Sequence, residues 1–320
     1  MATGSGGRGS GLVRLLAVLL LVAGAASAAA AAFVHSAIEP PTDHASEDPS
    51  EYLLSADPVS LTATDGVHLS GWYIHGRGGS PPIILCHDLG GSRNGLLNSA
   101  VVLNKAGYPL FLLDFRRHGE SGAARSTLGV DERLDVLAVV AFLKTHKGLD
   151  ARRIGGWGVG MGAYALALAA LEEPSITSLA LDALYPDVPT EADRLVRERI
   201  PPALGAVVPA LHPLYDAVLL RHLSAFSIRS RLAGLAGRNL LLIAASEAPE
   251  RFAQMQRLYE ALPEGPEGGK NLLELRRSGL TGLYAEDRSK YDDAIRGFFA
   301  GSLHPGGQAV GGTRIEVIEK

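Results

Sequence analysis

The hydrophobic pattern divides the chain into an apolar N-terminal run and a longer region of short alternating segments. No charged residue occurs from Leu15 to Val34, so residues 1–34 are predicted to form a transmembrane anchor or a signal peptide. Arg8 and Arg14 precede the run, and an acidic segment follows it. Because positive charge favours the cytoplasmic side, we expect a single pass through the cytoplasmic membrane, with the globular part outside the cytoplasm.

A cleaved signal peptide is the alternative interpretation of the same run. Ala26-Ser27-Ala28 has the small-x-small pattern that signal peptidase requires. Cleavage there would release a secreted or periplasmic protein. The sequence leaves both readings open.

Between residues 58 and 300, short apolar runs alternate with helical patterns. Two β-rich runs, 59–63 and 67–74, are joined by an Asp-Gly turn, which predicts a hairpin. Further strands are predicted at 83–86, 109–113, 154–157, 179–181, 240–244 and 272–275, and helices at 94–106, 130–145, 161–171, 251–262 and 291–299. This alternation predicts an α/β fold with a mostly parallel central sheet and helices on both faces.

Three segments depart from this pattern. Residues 35–57 are rich in Pro, Asp, Glu and Ser and are predicted to form a tether. Residues 184–236 separate two strands with proline-punctuated helical segments, and this length predicts a helical cap insertion within the 58–300 domain. Residues 301–320 are predicted to form a flexible tail.

Charge and cysteine content exclude several function classes. The net charge is −4 and no basic block occurs, which argues against a nucleic-acid partner. Cys86 is the single cysteine, so the chain can form no internal disulfide and no zinc-type cysteine cluster. The sequence has neither metal-ligand spacing nor a phosphate-binding Gly-Lys-Ser/Thr motif. We therefore expect no metal and no cofactor.

Candidate chemistry lies after the predicted strands, because open parallel sheets bind ligands beyond the carboxyl ends of their strands. His87-Asp88-Leu89-Gly90-Gly91-Ser92 is a glycine-containing loop that can turn backbone N–H groups toward a pocket. Gly158-Val159-Gly160-Met161-Gly162 lies between a strand and a helix. Its outer glycines match the G-x-S-x-G nucleophile elbow.

Together these segments resemble the α/β-hydrolases, in particular the serine-aminopeptidase-like and membrane-anchored esterase-like branch. The resemblance rests on TDGVHLSGWYI, IILCHDLGGSRNG, AGYPLFLLDFRRHGES and RIGGWGVGMGA, and on the order of elements. It covers roughly residues 57 to 300. It implies the α/β-hydrolase fold and places His87, Asp88, Leu89 and Met161 in the loops that form the oxyanion hole and pocket.

The chain departs from the family where catalysis needs side chains. Gly160 stands at the nucleophile position and Ala248 at the acid position, with Glu247 one residue away. Leu280 stands where the family carries its histidine base. Acyl transfer in this family needs a serine, an acid and a histidine in that chain order. The resemblance therefore implies a degenerate triad.

Three functional hypotheses follow. The first is a pseudo-hydrolase that binds a small apolar ligand or a protein partner. The second is an active esterase, lipase or peptidase with a relocated site that uses Cys86, His87 or Glu247. The third is a structural interaction module near the membrane. An enzyme needs a nucleophile within hydrogen-bond reach of a base, whereas a binding protein needs only an intact pocket.

Overall fold

The computed structural model describes residues 7–39, 41–43, 47–263, 269–277 and 283–303. These residues form two compact units. The smaller unit comprises the described parts of Met1–Glu39 and Ala192–His222. The larger unit comprises those of Pro40–Glu191 and Leu223–Lys320. The boundaries between the two units fall inside the predicted 184–236 insertion. The role of this insertion as a cap stays a prediction.

An eight-stranded sheet forms the centre of the larger unit. Its strands are β1 (Ala56–Thr62), β2 (His68–Ile74), β3 (Ile83–Cys86), β4 (Leu110–Asp114), β5 (Ile154–Val159), β6 (Ile176–Asp182), β7 (Asn239–Ala245) and β8 (Lys270–Leu275). The strand order is β1-β2-β4-β3-β5-β6-β7-β8. β2 pairs antiparallel with β1 and β4, and every pairing from β4 to β8 is parallel.

Helices connect the strands. The α-helices are α1 (Gly7–Ile38), α2 (Leu97–Lys105), α3 (Glu132–Thr145), α4 (Met161–Glu172), α5 (Val188–Arg197), α6 (His212–Leu219), α7 (Pro249–Ala261) and α8 (Ala285–Leu303). Short 3-10 segments cover Pro49–Tyr52, Arg93–Leu96, Pro202–Leu211, Leu223–Phe226 and Arg229–Leu235. The predicted fold class is confirmed: a mostly parallel sheet carries helices and begins with a hairpin.

Two adjacent glycines of β5 show which helices cover the sheet. A Cβ on Gly155 would touch Phe299 and Leu303 of α8, whereas a Cβ on Gly156 would collide with Leu166 of α4. Successive strand residues point to opposite faces, so α8 and α4 cover opposite faces. β3, β4 and β5 are buried along their whole length. This explains why they appear in the sequence as continuous apolar runs.

The hairpin begins earlier than predicted. β1 starts at Ala56, three residues before the predicted strand, because Ala56 pairs with Ile74 at the far end of β2. β1 is largely exposed, so its first residues carry no apolar alternation that could mark them in the sequence. Part of the predicted tether contacts the larger unit. Asp43 donates its N–H to the Gly90 carbonyl and accepts a hydrogen bond from the Ser92 hydroxyl.

The smaller unit contains the apolar N-terminal helix. α1 extends to Ile38, four residues past the predicted boundary, and packs against α6. The Arg199 guanidinium donates to the carbonyl of Ala37 within this unit. Leu12–Ile38 has a mean hydropathy of 2.4, so α1 fits either a membrane anchor or a signal peptide. Pro202–Leu219 also meets the length and composition of a span, with a mean hydropathy of 1.2.

Buried Arg116 is held mainly by one carboxylate. It donates to Asp135 through its backbone N–H, Nε and Nη2, and to the partly exposed Asp65 through Nη1. We expect Asp135→Asn to lower the free energy of unfolding by about 3 kcal/mol, because it removes the charge facing a buried cation. Asp65→Asn should cost about 1 kcal/mol or less, because that pair is screened by solvent. Urea unfolding followed by tryptophan fluorescence measures both, and equal losses would contradict this ranking.

Candidate functional site

The candidate site lies at the carboxyl ends of β3 and β5. These two strands are adjacent and parallel, with Cys86 opposite Gly158. The loop His87–Ser92, called here the oxyanion loop, follows β3. The turn Gly158–Gly162, called here the elbow, joins β5 directly to α4. Parallel neighbours bring these two loops to the same edge of the sheet.

The elbow is a sharp strand-to-helix turn with glycines at its flanks. Gly160 has φ of +51° and ψ of −112°. A Cβ on Gly158 would lie 2.7 Å from the backbone of residues 162 and 163, and a Cβ on Gly162 would lie 2.5 Å from the carbonyl oxygens of Cys86 and His87. Side chains are therefore excluded at both flanks by close backbone approach. The elbow geometry is present, although residue 160 has no side chain to act as a nucleophile.

Asp88 fills the space beside Gly160. Its Oδ1 atom accepts a hydrogen bond from the Leu89 N–H at 2.7 Å and another from the Met161 N–H at 2.8 Å. A Cβ built on Gly160 would fall inside the van der Waals contact distance of this carboxylate. The Asp88 Oδ1 atom therefore accepts hydrogen bonds from both N–H groups. It also lies in the space that a side chain at residue 160 would need.

The surroundings of Asp88 set its electrostatics. Desolvation by the surrounding protein raises the pKa of Asp88, and the hydrogen bonds from Met161 and Leu89 act in the opposite direction. The residue nevertheless keeps an exposed surface. The carboxylate therefore accepts hydrogen bonds from two N–H groups while the residue stays exposed to solvent.

Both ring nitrogens of His87 are engaged by backbone groups. Nδ1 donates to the Asp88 carbonyl at 2.7 Å, and Nε2 accepts from the Phe115 N–H at 3.1 Å, a tautomer assigned from these partners. Burial, followed by the neighbouring His118, lowers the pKa of His87 to about 3. His87 is therefore a neutral brace of the oxyanion loop with no nitrogen left to accept a proton from a substrate.

His118, which follows β4 in the chain, supports the same loop. Its Nε2 accepts from the Gly90 N–H, and its Nδ1 donates to the Arg116 carbonyl. From the sequence, His118 is predicted to brace a loop through hydrogen bonds, and the DFRRHGES segment that contains it is part of the family resemblance. The sequence signal for this role is that His118 follows β4, whereas His87 follows the neighbouring buried strand β3.

Cys86 is fully buried at the end of β3. Burial raises the pKa of its thiol strongly, which keeps the sulfur protonated and unreactive. Asp88, in the loop after β3, contacts the elbow at Met161, whereas Cys86 stays in the core.

The candidate acid positions follow β7. Ala248 is the residue before α7 and carries no carboxylate. Glu247 is exposed and accepts hydrogen bonds from Arg277 Nε at 2.8 Å and from the Tyr284 hydroxyl at 3.0 Å. The Arg277 hydrogen bond, and then that of Tyr284, lowers the pKa of Glu247. Leu280, the candidate base position, lies outside the described residues.

A second buried polar contact was not anticipated from the sequence. The Tyr291 hydroxyl on α8 donates to Asp182 Oδ2 at 3.0 Å and accepts from Trp157 Nε1 at 3.1 Å. These contacts tie the last helix to β5 and β6 beneath the elbow. No pattern in the sequence pairs residues so far apart, and the fold alone brings them together.

A pocket of about 360 Å³ opens at the carboxyl ends of β6, β7 and β8. We call it the arginine pocket. Its lining residues are Ala183, Leu184, Ala244, Ala245, Glu247, Ala248, Arg251, Gln254, Met255, Arg276 and Arg277. None of them belongs to the oxyanion loop or the elbow. Within the described ranges, no group of three or more His, Cys, Asp or Glu side chains could hold a metal ion.

Comparisons with known proteins agree with the observed fold. The profile of the α/β hydrolase fold matches residues 81–262. A thiohydrolase of Aspergillus aculeatus is 28% identical over 154 residues, which are 44% of this chain and 48% of that protein. An uncharacterised 31.7 kDa protein of Escherichia coli is 29% identical over 126 residues, 39% of this chain and 44% of that protein. The chain therefore spans less than half the length of the curated relatives it matches.

Among solved structures, an esterase of Pyrococcus furiosus superposes with a TM-score of 0.64 at 23% identity. The match covers 83% of this chain and 98% of the esterase. At this level of identity the likeness demonstrates the fold alone.

The neutral state of His87 gives stability a pH dependence. The unfolded chain binds a proton at His87 below about pH 6.5, whereas the folded chain does not until about pH 3. The free energy of unfolding should therefore fall as the pH drops from 6.5 toward 3. We expect His87→Asn to flatten this slope and exposed His68→Asn to leave it unchanged, as measured by urea unfolding at several pH values. A slope unaffected by His87→Asn would contradict the assignment.

Proposed function

Because the chain belongs to the α/β hydrolase fold family, we propose that it is a catalytically inactive member that binds a ligand and does not hydrolyse it. One observation carries this proposal. The Asp88 carboxylate accepts hydrogen bonds from the N–H groups of Leu89 and Met161, and it lies beside Gly160, which has no side chain.

Acyl transfer needs a nucleophile, a base to activate it and N–H donors for the developing oxyanion. Gly160 supplies no nucleophile. The Leu89 and Met161 N–H groups, which are placed to hold an oxyanion, already bind Asp88. An ionised carboxylate at that point would also repel the negative charge that develops in the transition state. Each observation independently supports inactivity.

The contacts of the alternative residues weigh against a relocated site. Cys86 is buried with a raised pKa, and the His87 nitrogens are both hydrogen-bonded to backbone. Glu247 is exposed and paired with Arg277 and Tyr284. A working site needs a nucleophile and a base within reach of each other, and these three residues have other partners.

The cellular setting of this function follows from α1. We propose that α1 anchors the chain in the cytoplasmic membrane, with the larger unit outside the cytoplasm, as the charge distribution around the apolar run favours. Cleavage after Ala28 would instead release the same unit, so the membrane fraction of the full-length protein distinguishes the two forms.

The activity test uses the full chain in detergent, a fluorophosphonate probe and p-nitrophenyl butyrate. We expect neither labelling nor turnover above buffer, because residue 160 offers no hydroxyl. A folded sample that turns over the ester, and loses this activity with His87→Ala or Cys86→Ala, would overturn the proposal.

The role of Asp88 can be tested by restoring the missing groups. Gly160→Ser, Ala248→Asp and Leu280→His together supply a serine, an acid and a histidine at the family positions. We expect the probe to label this triple variant only when Asp88→Gly is added, because Asp88 otherwise fills the space of the new serine. Equal labelling with and without Asp88→Gly would show that the carboxylate does not obstruct the site.

Stability provides an independent measure of the same collision. Gly160→Ser should lower the free energy of unfolding by about 2–6 kcal/mol, from overpacking against Asp88 and from backbone strain at positive φ. In an Asp88→Gly background the loss should shrink to about 1–3 kcal/mol, the strain alone. Gly148→Ser is the matched control, because Gly148 also has positive φ but open space around it. Additive losses at residues 88 and 160 would argue against direct contact.

A further inference from the structure

We propose that the arginine pocket binds a small organic monocarboxylate, with Arg251 as the residue that recognises the carboxylate. This inference rests on the proposed function and names the ligand class for it. It depends on three features of the pocket: the contacts of its arginines, its apolar wall and its surrounding charges.

Arg251 makes only long polar contacts within the described residues. Its Nη2 lies 3.4 Å from the Ala183 carbonyl and 3.7 Å from the Glu191 carboxylate. Charge-assisted hydrogen bonds of arginine are typically about 2.7–2.9 Å long. A guanidinium has five N–H donors, so Arg251 retains capacity for a bidentate carboxylate. Its side chain is 35% exposed, which leaves it half-buried at the pocket wall.

The other two arginines have close partners. Arg277 donates to Glu247 at 2.8 Å, and Arg276 forms an ion pair with Glu286. Both guanidinium groups also lie over the ring of Tyr284, at 4.6 Å and 4.4 Å from its centroid. Arg276 and Arg277 are therefore already paired with nearby carboxylates, whereas Arg251 has no polar contact shorter than 3.4 Å among the described residues.

Apolar residues also line the pocket. Ala183 and Leu184 follow β6, Ala244 and Ala245 end β7, and Met255 faces the pocket from α7. Ala248 adds a methyl group at the family's acid position. A larger or charged side chain there would reduce the volume of about 360 Å³, which lies at the lower end of the range for small-molecule sites. The wall favours a ligand with a short hydrocarbon part.

The charges around the pocket favour a single negative charge on the ligand. Glu191, Glu247 and Glu286 lie beside the three arginines and neutralise most of their charge. A dianionic phosphate would meet repulsion from these carboxylates, whereas a monocarboxylate needs only one guanidinium. Inorganic phosphate is therefore expected to bind more weakly than an aliphatic acid of suitable length.

The oxyanion loop offers no competing site for the same anion. The two N–H groups that could hold a carboxylate there already bind Asp88. The arginine pocket lies along the same edge of the sheet, beyond the ends of β6, β7 and β8, which is where open parallel sheets bind ligands.

The test is calorimetric titration of the full chain in a nonionic detergent with hexanoate, 1-hexanol and inorganic phosphate. We expect hexanoate to bind, and hexanol and phosphate to bind at least tenfold more weakly. Arg251→Gln should weaken hexanoate binding by about tenfold or more, because it removes a charge-assisted hydrogen-bonding pair. Arg257→Gln is the matched control, since Arg257 is exposed on the same helix and does not line the pocket. Ala248→Leu should also weaken binding by filling the apolar wall.

The outcomes separate this inference from the proposed function. Equal binding of hexanol and hexanoate, equal binding of phosphate, no binding at all, or an equal effect of Arg251→Gln and Arg257→Gln would each overturn the ligand assignment. None of these results bears on catalysis. Conversely, turnover of p-nitrophenyl butyrate by the same sample would refute inactivity, and hexanoate binding lost in Arg251→Gln would still establish the pocket.

Discussion

The contact between the Asp88 carboxylate and the two N–H groups of Leu89 and Met161 constrains the rest of the site. One oxygen satisfies both backbone donors. The same oxygen leaves no space for a Cβ at residue 160. Glycine at residue 160 is therefore compatible with the observed position of Asp88, whereas a side chain there would require the Asp88 carboxylate to move.

Close backbone contacts and two histidines hold the scaffold around this contact. Glycines at 158 and 162 still allow the backbones of β5, α4 and the oxyanion loop to approach closely. His87 and His118 still brace that loop with neutral rings, each donating from Nδ1 and accepting at Nε2. The contacts that hold the oxyanion loop against the elbow thus do not involve a side chain at residue 160. Stability and loop geometry depend on backbone contacts, which the side chain at residue 160 does not supply.

Binding and catalysis would use different parts of the same sheet edge. The elbow lies after β5, whereas the arginine pocket lies after β6, β7 and β8. Alanines at the end of β7 and before α7 leave space there, and Arg251 adds a half-buried cation. This separation would allow the proposed ligand binding while the Leu89 and Met161 N–H groups stay bound to Asp88, a role that fold similarity alone would not suggest.

The sequence by itself determined the fold class, the order of the elements and the identity of the elbow. Continuous apolar runs at β3, β4 and β5 and the spaced glycines of the elbow are local patterns, set by burial and by close backbone approach. The family resemblance in the sequence also led to the proposal that Gly160 and Ala248 stand where the family has reactive side chains. Only the tertiary structure decided that Asp88 fills the space beside Gly160, that His87 has no free nitrogen, and that Tyr291 reaches Asp182. These contacts join residues far apart in the chain, and their geometry depends on strand pairing that no local pattern encodes.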